Sequence, residues 1–394
     1  MKKAVFIPSY WRRKKEEGIK EEDIFYDHPT PLDEEGTILR TVDSMNILND
    51  KDFLLVVVAV ANCSEIESDV ERKVKDIVSK TALKDVPIYF FSHSCLKDMS
   101  SAFKETSVLS LKGYPNVRNV CLFLAHLLSS EICIFIDDDE VFEDPYFMEK
   151  ASEFIGKDEI YAIAGYYIQE DGSWKLKRKK EKWETYWDIY ERMNQAFEIT
   201  IGRGPRLKET TFAFGGNMIL HRKLFEKIPF DPYINRGEDI DYLIGAKMFG
   251  YKFYLDNLLS IKHLPPEKPY PVWRIIREDI CRFVYEREKI RSQRKIKGMH
   301  YVKPEELDPY PGAFLKDDLE EKVLKTSLLL AEYYRKKGME RDEKEALRNI
   351  EFLKMKKEED PFMHFLKVKE EWEDLIKRTE CMKERLKRYL LRIK

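Results

Sequence analysis

Glutamine is almost missing from this chain of 394 residues: only Gln169, Gln195 and Gln293 occur, beside 70 Lys+Arg and 72 Asp+Glu. Few amides among many Lys and Glu is the composition of a heat-adapted protein. An excess of one charge is also absent, with a formal net charge of −2, which removes a global field that would favour nucleic acid. The six cysteines, Cys63, Cys95, Cys121, Cys133, Cys281 and Cys381, are scattered without a CxxC or a Cys/His cluster. That excludes a zinc ribbon or a disulfide framework; several cysteines sit in apolar runs, as inert buried thiols do, and a reducing cytoplasm is expected. No apolar run reaches the length of a membrane span, and the start, Met1-Lys2-Lys3 before Ala4-Val5-Phe6-Ile7-Pro8, is too short for a signal-peptide core. We therefore expect a cytoplasmic protein with no transmembrane segment and at most peripheral membrane contact. The basic terminus Lys383–Lys394 reads as a solvated helix.

What the chain does have is a hydrophobic content of 43%, ample for a core, and alternating β and α patterns. Strands are expected over residues 3–8, 53–61, 86–91 and 132–136, with helices over 36–48, 65–79 and 117–128 between them. Such alternation builds right-handed βαβ units and a mostly parallel sheet. A long polar stretch, residues 12–35, interrupts this order and carries His28-Pro29-Thr30-Pro31; a loop of that length inside a compact domain is usually functional, and we expect a substrate-side lid. After Pro265-Pro266, Pro269 and Pro271 the pattern turns charged and helical, with a hairpin turning at Gly338 and a second helix over residues 343–357. The expected division is 1–265 and 266–394.

Four elements carry chemistry. The run Ile132-Cys133-Ile134-Phe135-Ile136 ends in Asp137-Asp138-Asp139, and acids at the carboxyl end of a buried strand lie where open α/β sheets bind ligands. If the strand geometry persists, Asp137 and Asp139 face one side and Asp138 the other. Gly215-Gly216-Asn217 lets backbone approach a ligand closely. Glu238 and Asp239 precede the apolar stripe Ile240, Leu243, Ile244 and Met248, so they occupy a helix amino terminus, where carboxylates either cap the helix or act as a base. His263 closes a strand-like run from Tyr254.

In that order, and together with Pro8-Ser9-Tyr10 and Asn116-Val117-Arg118-Asn119, these residues resemble the GT-A glycosyltransferases, family 2 in particular, over residues 3–263. The resemblance implies an α/β fold with a Rossmann-like mixed sheet for nucleotide-diphospho-sugar transfer, followed by a helical extension. It implies a divalent metal, manganese or magnesium, held by Asp137, Asp139 and His263. The donor, a nucleotide sugar, is expected against Pro8, Ser9, Tyr10, Asn62, Arg118, Asp137 and Asp138, with Gly215, Gly216 and Asn217 near donor sugar and acceptor. Asp239 corresponds to the catalytic base of inverting members, with Glu238 the substitute.

Two departures stand out. Where the family commonly has an acidic pair that reads the base, this chain has Ala61-Asn62-Cys63-Ser64, which leaves GDP-mannose as open as a UDP-sugar. The insertion from Trp11 to Glu35 has no counterpart in ordinary members. The expected acceptor is a small molecule or glycan, with charged compatible-solute precursors such as an inositol phosphate or glycerate attractive; the basic run Trp174–Lys180 would suit such an anion, or is simply solvated. Two other readings stay open: a retaining enzyme of the glucosyl-phosphoglycerate synthase type, and a haloacid-dehalogenase-type phosphohydrolase with Asp137 as nucleophile.

Overall fold

The computed structural model describes residues 1–18, 26–103, 106–266, 270–354 and 360–394. The middle of the insertion and the end of the helix expected over 343–357 lie outside the described residues. Eleven strands form one mixed sheet: β1 (Lys3–Arg12), β2 (Thr30–Pro31), β3 (Phe53–Ala61), β4 (Ile88–Phe91), β5 (Ile132–Phe135), β6 (Glu140–Val141), β7 (Ala162–Ile168), β8 (Leu207–Glu209), β9 (Met218–His221), β10 (Tyr254–His263) and β11 (Leu391–Arg392). Their order is β11-β4-β3-β1-β5-β9-β7-β10-β6, with β2 beside β1 and β8 beside β10. The parallel set β4, β3, β1 and β5 is the Rossmann-like part expected from the sequence.

Alternation along these strands sends successive side chains to opposite faces, and both faces are covered, which is why the strands read as continuous apolar runs. Phe6, Val56, Val58 and Phe135 belong to one core; Ile7, Val57, Ile134 and Ile136 belong to the other. Helices α1 (Ile38–Ser44), α2 (Glu67–Ser79) and α5 (Phe147–Glu153) cover the second core. The first lies under α3 (His93–Ser100), α4 (Tyr114–Leu127), α6 (Ile189–Thr200), α7 (Arg222–Phe225), α8 (Glu238–Met248) and α9 (Val272–Arg291). Because β3 and β4 lie on one side of β1 and β5 on the other, the strand order reverses there and a crevice opens at the carboxyl ends of β1 and β5, the usual ligand position in such sheets.

The helical region continues with α10 (Leu319–Lys336), α11 (Glu340–Arg348), α12 (Pro361–Thr379) and α13 (Lys383–Lys387). It shares the first core: Phe365 of α12 fills the space beside Gly245 of α8, and the Trp372 indole donates to the Phe225 carbonyl at 2.9 Å. Lys289 of α9 is fully buried, 2.7 Å from both Asp231 and Asp241, so two carboxylates share one buried ammonium. The chain end departs from expectation. Instead of a solvated helix through to Lys394, α13 stops at Lys387 and β11 pairs antiparallel with β4, because the edge of β4 offers unpaired backbone groups that the terminus satisfies. Among the described residues no helix is long and apolar enough to cross a membrane.

Candidate active site

The sheet's crevice collects carboxylates. β5 ends at Phe135, so Asp137, Asp138 and Asp139 leave the strand as a turn, yet their side chains still divide. Asp138 turns back to β1, where the Ser9 hydroxyl donates to it at 2.6 Å and the Trp11 indole donates to Ser9 at 2.9 Å. Burial, reinforced by Asp139, pushes the Asp138 carboxyl up to about 7. This buried pair is not among the residues that line the cavity. Pro8 is likewise interior to β1. Tyr10 is covered by Tyr26 and Tyr114, with ring centroids 4.3 and 5.1 Å away.

Asp139 faces the other way. Its Oδ2 lies 3.0 Å from His28 Nε2 and 3.5 Å from His263 Nε2. Burial works against its charge, but the bonds from His263 and His28 outweigh that and hold the carboxyl well below the usual range. Tyr167 stacks on His263 with centroids 4.5 Å apart and accepts the Gly216 N–H at 2.9 Å. Asp137 and Glu140 are both pushed upward, chiefly by burial.

Arg118 of α4 is expected near the nucleotide phosphates, but protein acceptors take up its guanidinium: Glu238 at 2.7 Å, the Gly215 carbonyl at 2.9 Å and Asp137 at 3.4 Å. What it does here is lock two acids in position. The glycine pair exists because of this crowding. A Cβ on Gly215 would lie 2.3 Å from the Arg118 guanidinium, and one on Gly216 would lie 2.0 Å from Glu140 and 2.6 Å from Asp137. Gly216→Ala is therefore expected to lose about 1–3 kcal/mol to overpacking, read by chemical denaturation. An unchanged midpoint would mean that Glu140 and Asp137 yield freely.

Asn217 does not reach the cavity. It is fully buried and its amide donates to the carbonyls of Leu259 at 3.1 Å and Tyr166 at 3.3 Å, spanning β7 and β10 where their register shifts. Asn62 is buried at the end of β3, its N–H bonded to the Trp11 carbonyl at 2.9 Å. Gly237, left-handed at φ 71°, opens α8 and aims Asp239 at the glycines: its Oδ2 accepts the Gly215 N–H at 3.0 Å and its Oδ1 the Ile240 N–H at 2.8 Å. Burial and the neighbouring Glu238 push Asp239 up to about 6.

Asp137, Glu238, Asp239, Arg118 and His263 line one cavity of about 400 Å³, walled by Tyr167, Trp174, Tyr190, Phe214 and Tyr310. Its other cations are matched: Arg236 by Asp27 at 3.2 Å and Glu278 at 2.8 Å, Arg282 by Asp279 at 3.4 Å. In the basic run, Lys175, Lys177, Arg178 and Lys180 each pair with an acid, at 2.7, 2.8, 3.0 and 2.9 Å. No lysine lines the cavity among the described residues. Sequence reasoning missed Tyr167, Arg236, Asp279 and Arg282. Arg236 adjoins the Gly-Glu-Asp run and was legible as its neighbour; the others sit mid-element with no local signal.

No family model and no curated protein matches the chain. Similar solved structures include a mannosyltransferase from Pyrobaculum calidifontis in complex with GDP-Man and Mn2+, 14% identical, covering 96% of this chain and 86% of that one, with a TM-score of 0.47. Another is glucosyl-3-phosphoglycerate synthase from Mycobacterium tuberculosis in complex with Mn2+, UDP and phosphoglyceric acid, 14% identical over 72% of this chain and 78% of that one, with a TM-score of 0.38. At this level of likeness, activity has to be argued from this chain's own side chains.

Proposed function

We propose that this chain is a metal-dependent GT-A-type glycosyltransferase that moves a hexose from a nucleotide-diphosphate sugar, GDP-mannose or a UDP-sugar, to an acceptor hydroxyl with inversion. Residues 1–265 would form the transferase domain, and the helices of 266–394 would close its acceptor side through Asp279, Arg282 and Tyr310. The carrying observation is the charge balance. Asp137, Asp139, Glu140, Glu238 and Asp239 crowd one crevice, where Arg118 is already shared between Asp137 and Glu238. Five carboxylates against one arginine and two imidazoles leave room for a divalent cation, which would act as the Lewis acid for the departing diphosphate.

Asp139 Oδ2 stands 3.5 Å from His263 Nε2, close enough for an oxygen and a nitrogen to share one divalent ion. Asp139 and His263 would hold the ion, with Asp137 beside it toward the donor. Asp239 would take the proton from the acceptor hydroxyl as its oxygen attacks the anomeric carbon and the bond to the diphosphate breaks. Glu238, bound to Arg118, is less free to do so. The aromatic wall and the matched arginines favour a neutral glycan hydroxyl over an inositol phosphate or glycerate, since a bound phosphate would have to displace an existing partner. One observation favours a retaining reaction instead: both oxygens of Asp239 already accept backbone N–H bonds, a poor setting for a base.

Thermal shift with UDP, GDP and their sugars, with and without manganese or magnesium, tests the assignment. At a hundredfold excess over Kd a true donor stabilises by about 2.7 kcal/mol, and only with metal. Absence of any metal-dependent shift across the panel rejects it. The anomeric configuration of the product separates inversion from retention.

A further inference from the structure

Two further cavities continue the candidate active site along α6. The first, of about 620 Å³, shares Gln169, Leu176, Tyr190 and His263 with the active-site cavity. The second, of about 550 Å³, shares Lys175, Leu176, Arg178 and Tyr190 with the first. Leu176 and Tyr190 line all three, so one groove runs from Asp239 and His263 out along α6. Its walls are held in place. The Asn194 side chain accepts the Leu176 N–H at 2.9 Å and donates to the Leu176 carbonyl at 3.0 Å, which fastens the segment after β7 onto α6. The Arg178 guanidinium lies 4.3 Å from the centre of the Tyr190 ring and 5.7 Å from that of Trp183. Tyr190, Asn194 and Glu198 follow one another at intervals of four, with Glu191 and Gln195 one place on, so one face of α6 floors the outer cavity over a length of about 12 Å.

The charges of the outer cavity are balanced. Lys175 and Arg203 share Glu198 at 2.7 and 3.1 Å, Arg178 pairs with Glu184 at 3.0 Å, and Lys180 pairs with Glu191 at 2.9 Å. An anion entering here has to break one of these pairs, and an apolar ligand strips water from them without replacing it. A hydroxyl group does neither, because it donates to a carboxylate and accepts from an ammonium or guanidinium at the same time. Leu176 and Tyr190, at the junction of the three cavities, offer apolar surface to the carbon face of a sugar ring, and a tyrosine adds a polar tip. We infer that the groove binds the acceptor as a neutral oligosaccharide, with the end ring that is glycosylated beside Asp239 and the rings behind it in the two outer cavities. This rests on the transferase reading given above. It adds that the acceptor is a chain of sugars, neither a single ring nor a phosphorylated small molecule, and that the face of α6 beyond Tyr190 recognises its length.

The test is binding of the full chain to an array of neutral, phosphorylated and sulfated glycans, from single sugars to hexasaccharides, followed by titration calorimetry along the series that binds. Wild type is compared with the double variant Glu191→Ala/Gln195→Ala. Both side chains are exposed, alanine favours the helix and Lys180 loses only a surface pair, so an unchanged melting temperature is expected. A hydrogen bond to a charged group is worth about tenfold or more in affinity, so wild type should bind neutral trisaccharides and longer chains at least about tenfold more tightly than the matching monosaccharide. The double variant should lose that gain and bind the monosaccharide as wild type does. Equal affinity at every length, a gain with length that survives in the double variant, selection of phosphorylated or sulfated glycans, or no binding on the array would each overturn the inference. Thermal shift with GDP or UDP and manganese on the same preparations keeps the two readings apart. Length-dependent glycan binding without any metal-dependent nucleotide shift leaves the groove and removes the transferase; a nucleotide shift without length dependence leaves the transferase and removes the groove.

Discussion

Asp239→Asn is expected to bind the donor with metal as the wild type does, yet to transfer sugar at least about 100-fold more slowly, because positioned bases contribute about 10²- to 10⁴-fold. The substitution preserves size and one of the two bonds from the Gly215 and Ile240 amides, since the amide nitrogen cannot accept, and it removes the proton acceptor. The pH profile gives a second readout. The Asp239 carboxyl is raised to about 6 by burial and by Glu238, so the wild-type rate should fall as pH drops through about 6 and the base becomes protonated, with the limb belonging to the coupled pair rather than to one residue. That limb should be absent from Asp239→Asn. Stability runs the other way: a carboxyl whose folded value lies above its unfolded one favours folding below the unfolded value, and that contribution is lost as pH rises through about 6. A rate that declines at low pH while the fold gains stability cannot be ascribed to acid unfolding. Near-normal turnover with retained configuration would dismiss both the base and inversion; near-normal turnover with inversion would move the role to Glu238, since Asp241 is held by the buried Lys289.

Asp139→Ala is expected to abolish metal-dependent nucleotide binding, leaving no thermal shift on adding manganese with GDP or UDP. The fold should survive. The partners of Asp139 are the imidazoles of His28 and His263, not a buried lysine or arginine whose charge would be stranded. Asp139 sits below its usual range, so what it adds to stability is present above the unfolded carboxyl value of about 3.9 and lost as pH falls below it; the variant should lack that acid-side loss. Retained manganese-dependent binding of GDP or UDP in this variant would sink the assignment of Asp139 as a metal ligand.

Cavity and sheet differ in how far the sequence reveals them. Continuous apolar runs at Phe53–Ala61 and Ile132–Phe135 state their burial directly, because both faces of a parallel strand are covered, and the acids after Phe135 are therefore placed at a strand end before the fold is known. Glu238 and Asp239 are located in the same way, by the helical stripe that follows them. Side-chain direction is another matter. Asp138 and Asp139 are adjacent, yet one turns to Ser9 and the other to two histidines, a division fixed by what β1 and β10 bring alongside.

Arg118 shows the same limit. From the sequence it reads as a cation for nucleotide phosphates, and nothing local shows that the fold sets Glu238, 120 residues later, at 2.7 Å from it. Asn217 reads as a ligand contact beside two glycines, but the register shift between β7 and β10 leaves carbonyls that claim its amide. The amino-acid sequence by itself determined which segments are buried strands, where the acids fall relative to them, and that charge is locally concentrated, since these follow from periodicity and composition over a few residues. Only the tertiary structure decided which acid meets which cation, that the chain end completes the sheet at β4, and that His28 reaches Asp139 across 111 positions. Such pairings depend on the closure of long loops, whose entropy grows only slowly with length, so no local pattern records them.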